Sequence, residues 1–393
     1  MHKWWMAGML ALGGGVGAQM SVVPSTLLET IFKSPKLEEK WFSKEFLKGT
    51  GATPAQIQAY IDQLKVDFGA YKSLKQESEY NYTVELEKAF LPVQFRLNAQ
   101  GQVSGFLFKN PQMKSQNLQE ALEGFKALSG TVSVFVSKNG KPILEMNADK
   151  PLAVGSAFKL AVLKALNTQI QAGKLSWDKT VVLEANDKSL PSGMLQDWPN
   201  GSRLTVETLA SLMISISDNT ATDTLIRVLG RENIEKDPSL QESKPLMTTR
   251  ELFTLKNPKN ADLLARYQLA TATEKYAILK NLTARPLNIK DFADQKAQTE
   301  TDWMISTEKL CSLMSSVADL PLMSINPGVA DPQNWAHVAY KGGSEIGILN
   351  LTTQLKSKTT GDIYCVSVTW NDDRVLEESK LTPLYNALFG FFK

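Results

Sequence analysis

Residues 156–166 read Ser-Ala-Phe-Lys-Leu-Ala-Val-Leu-Lys-Ala-Leu, and the fold is organised around this stretch. Gly155 precedes it and Gly173 follows it, so a helix is predicted between these two breakers. Apolar residues cover nearly every side of this helix, which is typical of a buried one. Ser156 and Lys159 lie one turn apart and share a face. Because burial lowers the pKa of an amine, the two side chains are a candidate nucleophile and base.

The same Ser-x-x-Lys spacing occurs at two other places in the chain. Ser176 precedes Lys179, and Ser306 precedes Lys309. The pattern alone therefore does not single out Ser156, and other motifs must support it.

Length and charge limit the broad class of the protein. A chain of 393 residues predicts two domains, and its hydrophobic content of 43% supports a full core. The 43 basic and 41 acidic residues leave a net charge of +2, which gives no electrostatic reason to expect nucleic acid or an anionic membrane as a partner.

Residues 1–18 are predicted to be an export signal that is cleaved before Gln19. They combine a basic start, an apolar stretch and a small-residue cleavage site. The alternative is a membrane anchor, but the apolar stretch is short for a span and rich in glycine. We therefore expect an exported protein, periplasmic or secreted, with no membrane span after signal removal.

Cys311 and Cys365 are the two cysteines of the chain. An exported protein can bridge them, but both lie in apolar sequence surroundings that fit two buried thiols equally well. Neither is expected to be catalytic.

The hydrophobic pattern predicts a small α+β domain over residues 19–113 and a larger one over 114–393. The first has three helices followed by four strands, with a hairpin turn at 98–101. The second has a helix, two strands, the Ser156 helix and a long helical stretch before its last strands and a terminal helix. Those last strands are predicted at 337–340, 346–355 and 363–370.

Ser217, Asp218 and Asn219 form a polar corner between two apolar helices. Thr205 is the predicted cap of the first helix. Its predicted inward residues are Val206, Leu209, Leu212, Met213 and Ile216. Taken alone, such a corner is a capping junction.

Lys341 lies on a predicted strand and is followed by two glycines. Alternation places Lys341 and Gly343 on one face, and the absence of side chains lets a ligand lie against the backbone. A lone lysine on a strand is usually only solvated.

Together these pieces resemble the penicillin-recognising serine enzymes, most closely the class A β-lactamases. The motif residues, in the order and spacing of that family, are Ser156, Lys159, Ser217, Asn219, Lys341 and Gly343. The resemblance covers 118–393 and implies the class A β-lactamase/transpeptidase-like fold, an antiparallel sheet with a helical subdomain. Residues 19–113 are similar to the cystatin-like domain that precedes the β-lactamase domain in a protein of clavulanic acid gene clusters.

The resemblance implies a role for each motif residue. Ser156 attacks a carbonyl carbon, Lys159 takes the hydroxyl proton, and Ser217 relays a proton to the leaving nitrogen. Lys341 attracts a substrate carboxylate, and Asn219 hydrogen-bonds the substrate amide.

The strand motif adds two substrate-binding positions. The backbone N–H groups of Ser156 and Ser344 are the expected oxyanion hole, and Gly343 lines the substrate site.

Two departures separate this chain from the class A pattern. Gly342 stands where the family has a threonine, and Leu255 stands where an asparagine follows the deacylating glutamate. Glu251 is the nearest acid, but we interpret it as an N-terminal helix acid capped by Thr248 or Thr249. It receives no catalytic role, and residues 257–303 are expected to form an enlarged region near the site mouth.

Three hypotheses for function follow. The first is a β-lactamase acting through an acyl-enzyme on Ser156. The second is an esterase or cell-wall peptidase on the same fold, and the third is a penicillin-binding sensor without turnover. A β-lactam or another peptide-like acyl substrate is the expected partner. We expect no cofactor, no metal and a monomer.

A histidine-based triad and a metal site are disfavoured. His2 lies in the export segment, and His337 precedes Lys341 by four strand positions, roughly 13 Å. Two histidines and two cysteines so placed do not form a ligand set.

Overall fold

The described residues of the computed structural model are 23–109, 111–115, 117–282, 285–292 and 296–392. They form two compact units. One comprises the described residues up to 115 with 382–390, and the other comprises 117–381 with 391 and 392. The export segment predicted at 1–18 lies outside the described residues, and the domain boundary after 113 stays a prediction.

The first unit packs helices against an antiparallel sheet. Its elements are α1 (Pro24–Lys33), α2 (Lys44–Thr50), α3 (Pro54–Phe68), β1 (Tyr71–Gln76), β2 (Asn81–Leu86), β3 (Ala89–Leu97), β4 (Val103–Phe108) and β5 (Gln112–Met113). The strands pair in the order β1-β2-β3-β4, with β5 beside β3. Leu28, Ile61 and Phe95 are fully buried in its core. The predicted helices, strands and hairpin are confirmed.

The second unit contains a five-stranded antiparallel sheet built from both ends of the unit, as predicted. Its strands are β6 (Thr131–Lys138), β7 (Lys141–Met146), β12 (Trp335–Glu345), β13 (Ile348–Ser357) and β14 (Ile363–Asn371). Their order is β12-β13-β14-β6-β7. Both units thus combine helices with an antiparallel sheet, which confirms the α+β class.

Strand β12 extends beyond the predicted bounds 337–340 at both ends, and its glycines lie in the ladder, as the predicted alternation of Lys341 and Gly343 requires. Gly342 pairs with Leu351, and Gly343 pairs with Asn350. The turn comes later, at Gly347, whose φ of +78° suits glycine.

Helices and short strands form the rest of the second unit. They are α4 (Leu118–Lys126), β8 (Leu152–Ala153), α5 (Lys159–Gln171), β9 (Thr180–Val182), β10 (Arg203–Thr205), α6 (Val206–Ser215), α7 (Asn219–Leu229), α8 (Arg231–Ile234), α9 (Thr249–Lys256), α10 (Ala261–Leu269), α11 (Ala272–Lys280), β11 (Met304–Ile305) and α12 (Thr307–Ser315). A last helix, α13 (Glu378–Gly390), follows β14, and its residues 382–390 belong to the first unit.

Helix α5 is buried, as predicted. Leu160, Leu163 and Leu166 are 0% exposed. One inward prediction was wrong: Ile216 is 46% exposed. Helix α6 has already ended at Ser215, so Ile216 lies on the loop and not on the helix face.

The two cysteines form a disulfide, which decides between the two alternatives left open by the sequence. Cys311 on α12 is bonded to Cys365 on β14, with Cα atoms 5.9 Å apart.

Within the described ranges, no helix is both long enough and apolar enough to cross a membrane.

Candidate active site

Ser156 lies on a tight turn that is anchored from several sides. The 3₁₀ turn Gly155–Phe158 leads directly into α5. Gly155 has a left-handed φ of +50°, and its N–H donates to Asp302 Oδ1 at 2.9 Å. The N–H of Val154 donates to the carbonyl of Trp303 at 3.0 Å. These bonds hold the backbone of the turn, while the Ser156 side chain is half-buried.

Lys159 is fully buried, and its amine reaches the polar corner. Nζ donates to the Ser217 carbonyl and to Asn219 Oδ1, both at 2.7 Å, and lies 3.1 Å from Ser217 Oγ. Among the described residues its hydrogen-bond partners are thus Ser217 and Asn219. The amine sits one helical turn from Ser156 without a bond to that hydroxyl.

Two buried amines face each other across Ser217. Burial, together with the positive charge of Lys341, holds the pKa of Lys159 well below its usual range, although Asp223 and Asp218 act in the opposite direction. Burial lowers the pKa of Lys341 to about 7. Both amines therefore lose a proton more easily than an ordinary lysine.

Ser217 has its hydroxyl between those amines. Its Oγ lies 3.1 Å from Lys159 Nζ and 3.1 Å from Lys341 Nζ. Its φ of +58° is left-handed, and its carbonyl also accepts from Ser192 Oγ at 2.8 Å. The structure therefore brings together three predicted residues that are up to 182 positions apart in sequence, Lys159, Ser217 and Lys341.

Asn219 is held by hydrogen bonds within the chain. It is 2% exposed, and its Nδ2 donates to the Leu190 carbonyl at 2.7 Å while Oδ1 accepts from Lys159. An amide nitrogen has two hydrogens, and the described residues supply an acceptor for one of them, the Leu190 carbonyl.

The glycine at 343 serves close packing between the strand and the turn. A Cβ there would lie 2.1 Å from the Val154 carbonyl oxygen and 2.6 Å from the Ser156 nitrogen. The turn's backbone thus occupies the space in which a ligand was expected. An ideal Cβ on Gly155 would in turn lie 3.4 Å from the Ser344 nitrogen, so the N–H groups of Ser156 and Ser344 belong to adjoining backbone segments.

Tyr340 accounts for the other glycine of the strand. A Cβ at Gly342 would lie 2.2 Å from the Tyr340 hydroxyl oxygen. The phenol therefore fills the place where the side chain of a threonine would begin.

Glu251 is a structural residue, which confirms its interpretation as a helix acid. It is 5% exposed, and its carboxylate accepts from Arg231 at 2.5 and 2.7 Å. It also closes a capping box with Thr248 at the start of α9.

The structure also explains two sequence features that were set aside. Ser306 is the N-cap of α12, which accounts for its spacing to Lys309. His337 lies on β12 with its Nε2 3.0 Å from Ser324 Oγ, so a neighbouring side chain supplies its hydrogen-bond partner.

Sequence reasoning missed a buried cluster of charged side chains that contacts the Gly155–Phe158 turn through Asp302. Its members are Lys256, Asp302 and Glu345. Lys256 follows Leu252 by four positions, and this spacing places it on the apolar face of α9. That signal marks a buried cation, but no local pattern marks the two acids. In the described parts of the chain, no group of three or more His, Cys, Asp or Glu side chains is placed to hold a metal ion.

Comparison with known proteins finds a family profile that matches part of the chain. Residues 114–295 match the sequence profile of the Beta-lactamase enzyme family. Beta-lactamase VEB-1 of Pseudomonas aeruginosa is 29% identical over 122 residues, which are 30% of this chain and 40% of that protein. The chain thus spans less than half the length of this relative.

Solved structures give similar neighbours at low identity. A beta-lactamase from Sphaerobacter thermophilus DSM 20745 matches with a TM-score of 0.48 and 18% identity, over 70% of this chain and 97% of that one. PBP-A matches with a TM-score of 0.48 and 15% identity, over 70% of this chain and 94% of that one. The family match agrees with the predicted fold of the second unit, whereas the cystatin-like nature of the first stays a prediction.

Proposed function

We propose that this protein is a serine hydrolase that forms an acyl-enzyme on Ser156 and hydrolyses the amide of a β-lactam. The observation that carries the proposal is the position of Ser217 Oγ, 3.1 Å from both Lys159 Nζ and Lys341 Nζ. The match of residues 114–295 to the beta-lactamase family supports the same chemistry.

Acylation proceeds as a nucleophilic substitution at the lactam carbonyl. Ser156 Oγ forms a bond to the carbonyl carbon while its proton passes to the neutral Lys159 amine, directly or through water. The N–H groups of Ser156 and Ser344 stabilise the tetrahedral oxyanion. The C–N bond then breaks, and the proton returns through Ser217 Oγ to the leaving nitrogen.

Lys341 and Asn219 bind the parts of the substrate that do not react. Protonated Lys341 attracts the substrate carboxylate, and the remaining amide hydrogen of Asn219 binds the acylamino group. Gly343 contributes by letting β12 lie against the turn, which brings the Ser344 N–H to the site.

A second candidate is a slow enzyme on esters or cell-wall peptides. It is favoured by the position of Glu251, which is engaged by Arg231 and Thr248 and so is not available to activate a water. Without a carboxylate to activate water, the acyl-enzyme is expected to persist longer. Another base must then activate the water that hydrolyses the acyl-enzyme and releases the carboxylic acid product.

We also propose that the chain acts outside the cytoplasm, as a monomer. The disulfide between Cys311 and Cys365 supports this location, because such bonds persist in oxidising compartments. A secreted form that retains residues 1–18 would contradict the proposed cleavage before Gln19, and a protein that stays in the cytoplasm would contradict the proposed export.

The test is covalent labelling by a fluorescent penicillin, followed by intact mass over time. Wild-type protein is expected to gain one adduct, and Ser156→Ala is expected to gain none. The matched control is Ser176→Ala, since Ser176 has the same spacing to a lysine but lies on a turn closed by Lys179.

The time course separates the candidates. Rapid loss of the adduct with hydrolysed penicillin supports a β-lactamase, and a long-lived adduct with turnover of simple esters supports the second candidate. Labelling that survives in Ser156→Ala would rule out Ser156 as the nucleophile.

A further inference from the structure

Three charged side chains from distant segments meet in the interior of the second unit. Lys256 Nζ lies 3.1 Å from Asp302 Oδ2 and 2.7 Å from Glu345 Oε2. The side chains of Lys256 and Asp302 are 1% and 0% exposed, and that of Glu345 is 11% exposed. The three residues are here called the lysine cluster.

Asp302 connects the lysine cluster to the turn that carries Ser156. Its Oδ1 accepts from the N–H of Gly155 at 2.9 Å and from the N–H of Trp303 at 2.8 Å. The Trp303 ring stacks on Phe158, with ring centroids 3.7 Å apart. A displacement of Asp302 therefore moves the backbone directly before Ser156.

Glu345 connects the same cluster to the strand that carries Ser344. It is the last residue of β12 and directly follows Ser344. At this end of β12, an ideal Cβ on Gly155 would lie 3.4 Å from the Ser344 nitrogen. Lys256 thus bridges two backbone segments, one leading to the Ser156 N–H and the other leading away from the Ser344 N–H.

Within the lysine cluster, opposite charges attract Lys256 to Asp302 and Glu345, but this attraction is not expected to add much to the free energy of unfolding. Although burial opposes it, attraction by Asp302 and Glu345 raises the pKa of Lys256, so the lysine stays charged. Burial and the neighbouring Asp302 raise the pKa of Glu345 to about 7. A buried ion group of this kind is often no more stabilising than apolar side chains of the same volume, whereas removal of one partner leaves a buried charge unpaired and disturbs the contacts around it.

We propose that Lys256 is a positioning residue, which acts through Asp302 and Glu345 to set the spacing between the Ser156 and Ser344 N–H groups. The proposal rests on the proposed function, because those two groups are the expected oxyanion hole. Donors that stabilise an oxyanion act only when they are already aimed at it, so an error in their spacing slows acylation.

The experiment compares wild-type protein with Lys256→Met and with Arg227→Met. Methionine keeps the approximate length of the side chain and removes the charge. Arg227 is the matched control, because it faces the buried carboxylate of Asp187 at 2.7 Å but makes no bond to the turn or to β12. Acylation by penicillin is followed in single-turnover mixing, and the acyl carbonyl stretch is recorded by rapid infrared difference spectroscopy with a ¹³C-labelled carbonyl.

Lys256→Met is expected to acylate about 10- to 100-fold more slowly, as follows from misplaced catalytic groups. Its acyl carbonyl band is expected at a higher frequency than in wild type, because weaker hydrogen bonds in the oxyanion hole leave the C=O bond stronger. Arg227→Met is expected to acylate within about twofold of wild type, with an unchanged band.

Glu345→Gln keeps the proposal testable if Lys256→Met does not fold. It preserves shape and a hydrogen bond to Lys256 while removing the charge, and a smaller shift in the same direction is expected. A wild-type band and rate in a folded Lys256→Met or Glu345→Gln protein would overturn the positioning role. If wild-type protein forms no adduct on Ser156, the proposed function itself fails and the positioning role fails with it.

Discussion

Ser217 has an unusual backbone conformation that places its hydroxyl between two lysines. A left-handed φ costs a residue other than glycine about 1–2 kcal/mol. Hydrogen bonds from Lys159 Nζ and Ser192 Oγ to its carbonyl offset that cost. The strain is therefore located where the proposed proton relay needs a fixed hydroxyl.

The pKa of Lys341 leads to a prediction about pH dependence. Burial lowers this pKa to about 7, so the fraction of protonated Lys341 falls as the pH rises through neutrality. Only the protonated form attracts an anionic substrate. We expect kcat/KM for a penicillin with a free carboxylate to fall above about pH 7, because kcat/KM reports the free enzyme.

An uncharged ester donor is the control for this prediction. Acylation by this ester needs a neutral Lys159 but no positive charge on Lys341. Its kcat/KM is therefore expected to keep rising or to level off as the pH rises above about 7. In Lys341→Met the two donors are expected to have the same alkaline profile. Identical profiles in wild type would show that Lys341 does not select for the carboxylate.

At the scale of elements, Asp218 ties the start of α7 to a separate loop. Its Oδ1 accepts from the Ala221 N–H at 2.8 Å and so caps the helix. Its Oδ2 accepts from the N–H groups of Met194 and Leu195 at 2.7 and 3.0 Å. Gly193 is needed for this approach, because a Cβ there would lie 2.3 Å from the Asp218 carboxylate.

Asp218→Ala is therefore expected to destabilise the second unit more than the loss of an ordinary cap. Three N–H groups lose their acceptor around a fully buried site, and the free energy of unfolding should fall by about 2–4 kcal/mol. Denaturant unfolding measures the change.

Thr205→Ala is the matched control, since the Thr205 side chain caps α6 by accepting from one backbone group, the Thr208 N–H, and otherwise bonds only the Thr208 hydroxyl among the described residues. Its loss should cost about 1 kcal/mol. Equal losses of unfolding free energy in the two variants would mean that the bonds from Asp218 to the Met194 and Leu195 N–H groups add nothing to the stability that its helix cap provides.

At the scale of the whole molecule, the second unit depends on connections between its beginning and its end. The central strand β14 pairs with β13 on one side and with β6 on the other. The disulfide fastens β14 to α12, with 54 positions between Cys311 and Cys365.

Removing this bond should weaken folding without removing the chemistry. We expect a Cys311→Ala, Cys365→Ala double variant to unfold with a free energy about 2–4 kcal/mol lower, because the unfolded chain loses a cross-link. Penicillin labelling of Ser156 is expected to persist under conditions in which the variant is folded. Unchanged denaturant stability, measured beside oxidised wild type, would contradict the predicted role of the bond.

Local patterns in the chain were enough for much of the fold and for the motif residues. The helix after Gly155, the cap at Thr205 and the corner at Ser217 each depend on neighbours a few positions away. Such features follow from backbone geometry and side-chain periodicity, which a single sequence displays.

Other features required contacts between distant segments. The lysine cluster joins residues up to 89 positions apart, and the Asp302 bond to Gly155 spans 147 positions. The sequence also left the state of the two cysteines open, and it gave a wrong reason for Gly343.

The sequence by itself determined the pairing of Ser156 with Lys159, on which the acyl-transfer hypothesis rests, because spacing along one helix is a local property. Only the tertiary structure decided what surrounds it. There the amine of Lys159 binds Ser217 and Asn219, and Gly343 makes room for the turn. The physical reason is that burial, pKa and close backbone approach depend on which remote segments meet, and no local pattern encodes that meeting.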